Sequence, residues 1–212
     1  MKRMFQTSLS VSIATGLYGV SFGALASVAG LDLLSIILLS TLMFSGASQF
    51  AFIGVVAAGG APIAAISSAW LLGIRNNFYA IRLATVIPHR GWRRPVAAQL
   101  TIDESNAVSA IGENPKQQIA GFWLTGVGVF LFWNLATLLG ALAGDLMGDP
   151  TAWGLDAAAA AAFLGLLWPR LKERLVLALV AFGVALVLSP LLPAGIGVLS
   201  AAVVALWPGG KK

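Results

Sequence analysis

The chain has no cysteine, one histidine and very few charges. Without cysteine there are no disulfides, no thiol nucleophile and no thiolate metal site. A single histidine cannot supply the two imidazoles of an H-E-x-x-H zinc centre. A Ser–His pair would depend on His89, which falls among arginines in a basic aromatic loop. No lysine lies inside an apolar run, which removes Schiff-base chemistry of the retinal type. Lys, Arg, Asp and Glu make up 10% of the 212 residues, against about 25% in soluble domains. In their place, 58% of residues are hydrophobic and the mean hydropathy is +0.90. No soluble core of this size hides so much apolar surface. Helices satisfy their own backbone polar groups in lipid, whereas a membrane barrel would show alternating segments of about ten residues. The expected fold is all-α: a polytopic membrane protein of about seven transmembrane helices, with one or more broken or re-entrant segments. Residues 1–212 read as one integral membrane domain. The net charge of +5 gathers at segment ends, which suits anchoring to anionic lipid and calls for no nucleic acid.

The apolar runs follow one another with short polar punctuation. The first, about residues 9–29, carries Ser12, Gly16, Gly19, Gly23 and Ser27 at three- and four-residue steps, a seam for close helix packing. After a turn at Asp32, a second run covers about 33–58. Its centre is Phe44-Ser45-Gly46-Ala47-Ser48-Gln49-Phe50, a candidate helix break of the kind transporters use to aim half-helix ends at a substrate. Pro62 suits the first position of the next helix. A short segment near 96–111 holds Asp103 and Glu104. A span is expected at about 119–143 with Asn134 as an interhelical hydrogen-bonder, then an Ala-rich helix after Gly154-Leu155-Asp156, then runs at about 175–188 and 192–207. Basic ends at 2–3, 90–94, 170–174 and 211–212 should all face the cytoplasm, yet three full spans before Arg90 would put that loop opposite Lys2, so one early segment is expected to be broken or re-entrant.

The candidate site starts from Arg75, near the middle of the 62–87 run. A guanidinium stays charged, and at membrane depth that costs at least a few kcal/mol, so it must face a partner, a cavity or a substrate. At helical spacing Ser68, Leu72, Arg75, Tyr79 and Arg82 share one face. Two readings stand side by side: an anion site, with Arg75, Asn76, Tyr79, Ser45, Gly46, Ser48 and Gln49 meeting substrate, or a clamp to a buried carboxylate. Asp103 and Glu104, as sequence neighbours, do not share a helical face. One could therefore meet Arg75 while the other handles an ammonium group or a proton. Asp156 is either an N-cap or a third coupling carboxylate. An intramembrane di-aspartate protease would need Asp103 and Asp156 at depth on two spans, and nothing else supports it. The chain is not expected to be an enzyme, and neither metal nor cofactor is expected.

Four motifs occur in order: the 44–50 break, Arg75-Asn76-x-x-Tyr79, Leu100-Thr101-Ile102-Asp103-Glu104-Ser105, and Gly154-Leu155-Asp156. Over roughly residues 16–167 the chain resembles the AzlC family, the large subunit of branched-chain amino acid exporters. Many members have Asn two places before the Arg and His directly after it; here those positions are Gly73 and Asn76, so no role of that His carries over. The resemblance implies a secondary transporter that exports branched-chain or other apolar amino acids, driven by protons or the membrane potential. It also implies a small AzlD-type membrane subunit and a place in the bacterial inner membrane. The alternative is a passive channel or structural membrane subunit for small zwitterionic solutes.

Overall fold

The computed structural model describes residues 1–87, 91–147, 164, 168, 171, 174–192 and 196–206. Every regular element among them is helical. The central pair is α1 (Lys2–Val28) and the later α7 (Pro115–Met147). At 1.5 Å per residue these run about 40 and 50 Å, beyond the ~30 Å hydrocarbon layer. Both start earlier than the apolar runs suggested, because a helix once nucleated continues through Lys, Arg and Gln. Among the described residues these two are the helices long and apolar enough to cross a bilayer by themselves.

The small-residue seam brings α1 and α7 together. Ser8, Ser12, Gly16, Gly19 and Gly23 are all buried along one face of α1. A Cβ at Gly19 would stand 2.6 Å from the Trp133 carbonyl oxygen. One at Gly23 would collide with the Thr137 carbonyl, and one at Gly140 with that of Val20. In lipid, where burial gives little drive between helices, such close packing is the main attraction.

Between α1 and α7 the chain forms two interrupted helices around one continuous helix. The first interruption separates α2 (Leu33–Leu42) from α3 (Gly46–Ala57), at the predicted cluster of small and polar residues. Asp32 caps α2: its carboxylate accepts from the Ser35 N–H at 3.0 Å and the Ser35 hydroxyl at 2.7 Å. Those two bonds hold the Asp32 carboxyl below its ordinary value of 3.8. Then α4 (Pro62–Ala84) opens with Pro62 in its first turn. Its interior face matches the spacing argument. Ser68 is buried, Leu72, Arg75, Tyr79 and Arg82 are half-buried, and Ile63, Ile66, Trp70, Phe78 and Ile81 stand exposed on other faces. The second interruption separates α5 (Arg93–Gln99) from α6 (Asp103–Ala110), in the segment expected to be short.

The breaks are held by side chains that bond the backbone groups at the helix ends, as low-dielectric surroundings require. Gln49 Nε2 donates to the Leu39 carbonyl at 2.9 Å. Gln99 Nε2, from the end of α5, donates to the Thr41 and Leu42 carbonyls at 2.6 and 3.2 Å. At the second break the Ser105 hydroxyl donates to the Leu100 carbonyl at 2.6 Å and accepts from the Ile102 N–H at 3.1 Å. A continuous apolar core runs through Phe22, Ile36, Phe44, Phe50, Leu100, Ile102, Phe122, Val129 and Trp133. Further along, α8 (Leu175–Leu188) is met by α9 (Ile196–Ala201) and a 3₁₀ turn, Ala202–Leu206. The Ala-rich helix expected after Gly154, the candidate Asp156 and the basic-loop residue His89 lie outside the described residues.

Candidate functional site

The two breaks and α4 converge on one cavity of about 320 Å³. Its polar lining comes from Thr15 of α1, Ser45 and Gly46 at the first break, Arg75 of α4, and Asp103 and Glu104 at the start of α6. Its apolar lining comes from Tyr18, Phe44, Phe50, Ile102, Val129 and Trp133. Five of the residues expected to act together therefore do meet: Ser45, Gly46, Arg75, Asp103 and Glu104.

Arg75 reaches across to α6. Its Nη2 lies 2.6 Å and its Nε 3.0 Å from Asp103 Oδ2. Tyr79, one turn further along α4, donates its hydroxyl to Asp103 Oδ1 at 2.7 Å. One more turn on, Arg82 Nη1 donates to the Asn106 side-chain and backbone oxygens at 2.6 and 3.1 Å. The periodicity of the two helices explains the pairing: residues 75, 79 and 82 fall on one face of α4, and 103 and 106 on one face of α6. The clamp reading of Arg75 is thus realised, and the Arg75 side chain still borders the cavity with a quarter of its surface exposed.

Two electrostatic features remain turned to the cavity. The first is the Glu104 carboxyl, which lies beside the Thr15 hydroxyl. Among the described residues the one Lys/Arg–carboxylate ion pair is Arg75–Asp103; Glu104 stands next to it and feels the Arg75 charge without forming an ion pair of its own among those residues. The second is the N-terminus of α3. Ser45 stands at its N-cap but makes no capping bond; its hydroxyl donates to Ser48 Oγ at 3.2 Å instead. The first N–H groups of α3, at Gly46 and Ala47, carry the positive end of the helix dipole toward the cavity.

The other expected residues sit behind this lining. Ser48 is buried against Ser45, and Gln49 is fully buried as the brace on α2. Tyr79 acts through Asp103, and the Asn76 side-chain oxygen is buried with no bonding partner among the described residues. Sequence reasoning missed Thr15, Tyr18, Phe44, Phe50, Val129 and Trp133 as cavity walls. Trp133 had a signal, being a bulky residue beside Asn134 in mid-span, but packing accounts for such a residue equally well.

The chain is 34% identical over 189 residues to an uncharacterized membrane protein of Archaeoglobus fulgidus, covering 86% of this chain and 81% of that one. It is 23% identical over 175 residues to an uncharacterized membrane protein of Helicobacter pylori, covering 82% of this chain and 76% of that one. A second strain of that species has a similar relative, 24% identical over 177 residues. No solved structure matches. The family profile described as AzlC protein matches residues 10–147, a stretch that contains both breaks and every residue lining the cavity, and the chain belongs to the AzlC family.

Proposed function

We propose that this chain is a secondary transporter that exports branched-chain or other apolar amino acids, driven by the proton gradient or the membrane potential. The observation that carries the reading is the makeup of the cavity. It places an uncapped helix N-terminus and a carboxyl with no ion pair among the described residues against a wall of aromatic and aliphatic side chains. An α-amino acid with an apolar side chain offers the complement of each: a carboxylate for the Gly46–Ala47 N–H groups, an ammonium for Glu104, and a hydrocarbon tail for the wall. At about 320 Å³ the cavity falls at the small end of ligand sites. A zwitterion moved with its charges satisfied avoids the cost of bare ions in lipid.

In this reading Arg75 has two partners to choose from. It holds Asp103 in the structure, and an incoming carboxylate at the α3 end competes for the same guanidinium. The proposed architecture is about seven membrane passes in the bacterial inner membrane. Two of the passes are the broken pairs α2–α3 and α5–α6. A small AzlD-type subunit is the proposed partner, on the strength of the family alone. The chain is proposed to act without enzymatic chemistry.

The test is efflux from cells preloaded with a Leu- or Val-containing dipeptide, with the small subunit co-expressed. Faster efflux against the gradient, lost on adding an uncoupler and lost in Arg75→Ala and Glu104→Gln, is the expected result. Efflux that only ever runs downhill would replace the transporter by a passive pore. Full activity in both variants would remove the cavity from the mechanism.

A further inference from the structure

We propose that Trp133, seated on the backbone of Gly46, sets the largest apolar side chain that the cavity accepts; this rests on the transport reading above. The indole comes from α7 and forms part of the cavity wall. Its six-membered edge lies against the first residue of α3. A Cβ built at Gly46 would stand 3.0 Å from Trp133 Cη2, 3.4 Å from Cζ3 and 3.5 Å from Cζ2. A glycine is therefore what lets the ring sit there.

The ring cannot give way easily. It is stacked on Phe22 with centroids 6.1 Å apart and planes at 27°, and it meets Phe50 edge-on at 6.2 Å and 89°. Phe22 and Phe50 are themselves edge-to-face at 6.0 Å, and all three are buried. Close-packed rings of this kind transmit a volume change instead of absorbing it. The wall behind the cavity is thus rigid, and rigidity is what allows a pocket to discriminate by size.

A second observation separates this role from plain packing. The Trp133 Nε1–H is buried and has no bonding partner among the described residues. A buried donor left unpaired costs stability, and a phenylalanine would fill much of the same space without that cost. What the indole brings to this wall beyond a phenylalanine is its breadth. The first turn of α3, where the substrate carboxylate is placed, lies directly against it, so the ring fixes how much room is left for the side chain of a substrate anchored there.

The experiment measures efflux of Val, Leu and Phe, each supplied as a dipeptide, through the wild-type chain with its small subunit. Trp133→Leu, Gly46→Ala and the double variant are measured beside it. One methylene in an apolar pocket is worth about 10- to 200-fold in discrimination. Trp133→Leu is expected to raise the Phe:Leu efflux ratio by at least about tenfold. Gly46→Ala adds a methyl and displaces the ring, and is expected to lower the Leu:Val ratio by a similar factor. The double variant is expected to bring the Leu:Val ratio back toward the wild-type value. Unchanged ratios in variants that still transport would overturn the proposal and leave the transport reading standing. Failure of the wild-type chain to move any of the three would overturn the transport reading, and this inference with it. Should Trp133→Leu fail to accumulate in the membrane, Gly46→Ala alone still decides the matter: a lowered Leu:Val ratio supports the proposal and an unchanged one overturns it.

Discussion

Replacing Asp103 by Asn keeps the shape of the side chain and removes the charge that Arg75 and Tyr79 share. Three contacts are affected: Arg75 Nη2 at 2.6 Å, Arg75 Nε at 3.0 Å and the Tyr79 hydroxyl at 2.7 Å. A hydrogen bond to a charged group is worth about 1.5–3 kcal/mol, while a fully exposed ion pair is worth about 0.2–1 kcal/mol. With side chains 25% and 30% exposed, the pair belongs between these limits. Asp103→Asn should cost about 2 kcal/mol of stability, and Tyr79→Phe about 1 kcal/mol. Combining Arg75→Gln with Asp103→Asn should cost less than the sum of the two by about 1.5 kcal/mol, because the second change removes a bond already broken. The assay is thermal unfolding of the purified protein in detergent. A loss of 2 kcal/mol corresponds to a fall in Tm of about 4–8 °C for a chain of this length. Additive single and double variants would refute the reasoning, since they would mean that Arg75 and Asp103 do not depend on each other. So would a Tyr79→Phe variant as damaged as Asp103→Asn.

Three more outcomes follow from the packing. Gly23→Ala should drive a methyl into the Thr137 backbone and destabilise the α1–α7 pair by about 1–3 kcal/mol or more, seen as a lower Tm, whereas Gly54→Ala, inside α3 with nothing near the added carbon among the described residues, should leave Tm unchanged or slightly raised. Gln99→Glu should harm the protein more than Gln99→Ala, because a carboxylate can neither donate to the Thr41 and Leu42 carbonyls nor sit beside them without repulsion; membrane yield and Tm report the order. The Asp32 cap should show in the pH dependence of unfolding. Its folded value is lowered, so its contribution is complete above the ordinary carboxylate range and fades as the pH falls through the lowered value. The Tm difference between wild type and Asp32→Ala should therefore be present at neutral pH and shrink below about pH 4.

Much of the site was legible because charge in an apolar run is costly and must be accounted for. Arg75 identified the face of α4 that turns inward, and helical spacing named its companions Tyr79 and Arg82. The break at Ser45–Gly46 showed as small and polar residues in mid-run, and the α5–α6 interruption as two carboxylates in a segment that reads as short or re-entrant. The choice between Asp103 and Glu104 as partner of Arg75 was not legible. The two differ by about 100° around a helix axis, and the direction of α6 relative to α4 decides which one faces the guanidinium. Gln49 and Ser48 were placed among the substrate contacts because amides and hydroxyls serve substrates and broken backbones equally well. In the fold Gln49 completes the end of α2, and Ser48 takes up the Ser45 hydroxyl. The walls from Phe44, Phe50, Val129 and Trp133 were invisible for the opposite reason: in a membrane chain an apolar side chain lining a cavity reads the same as one packed on a neighbour.

The bond from Gln99 to the end of α2 has a mechanical meaning. Gln99 is the last residue of α5, and it closes the end of α2 at the Thr41 and Leu42 carbonyls, just before the break that leads into α3 at Gly46. One amide thus acts as a strut between the two interruptions. If α2 shifts along its axis, α5 must follow or the strut must part and leave two carbonyls bare in lipid. A displacement of one broken helix is therefore felt at the other through this single amide, which ties the two interruptions together at their ends.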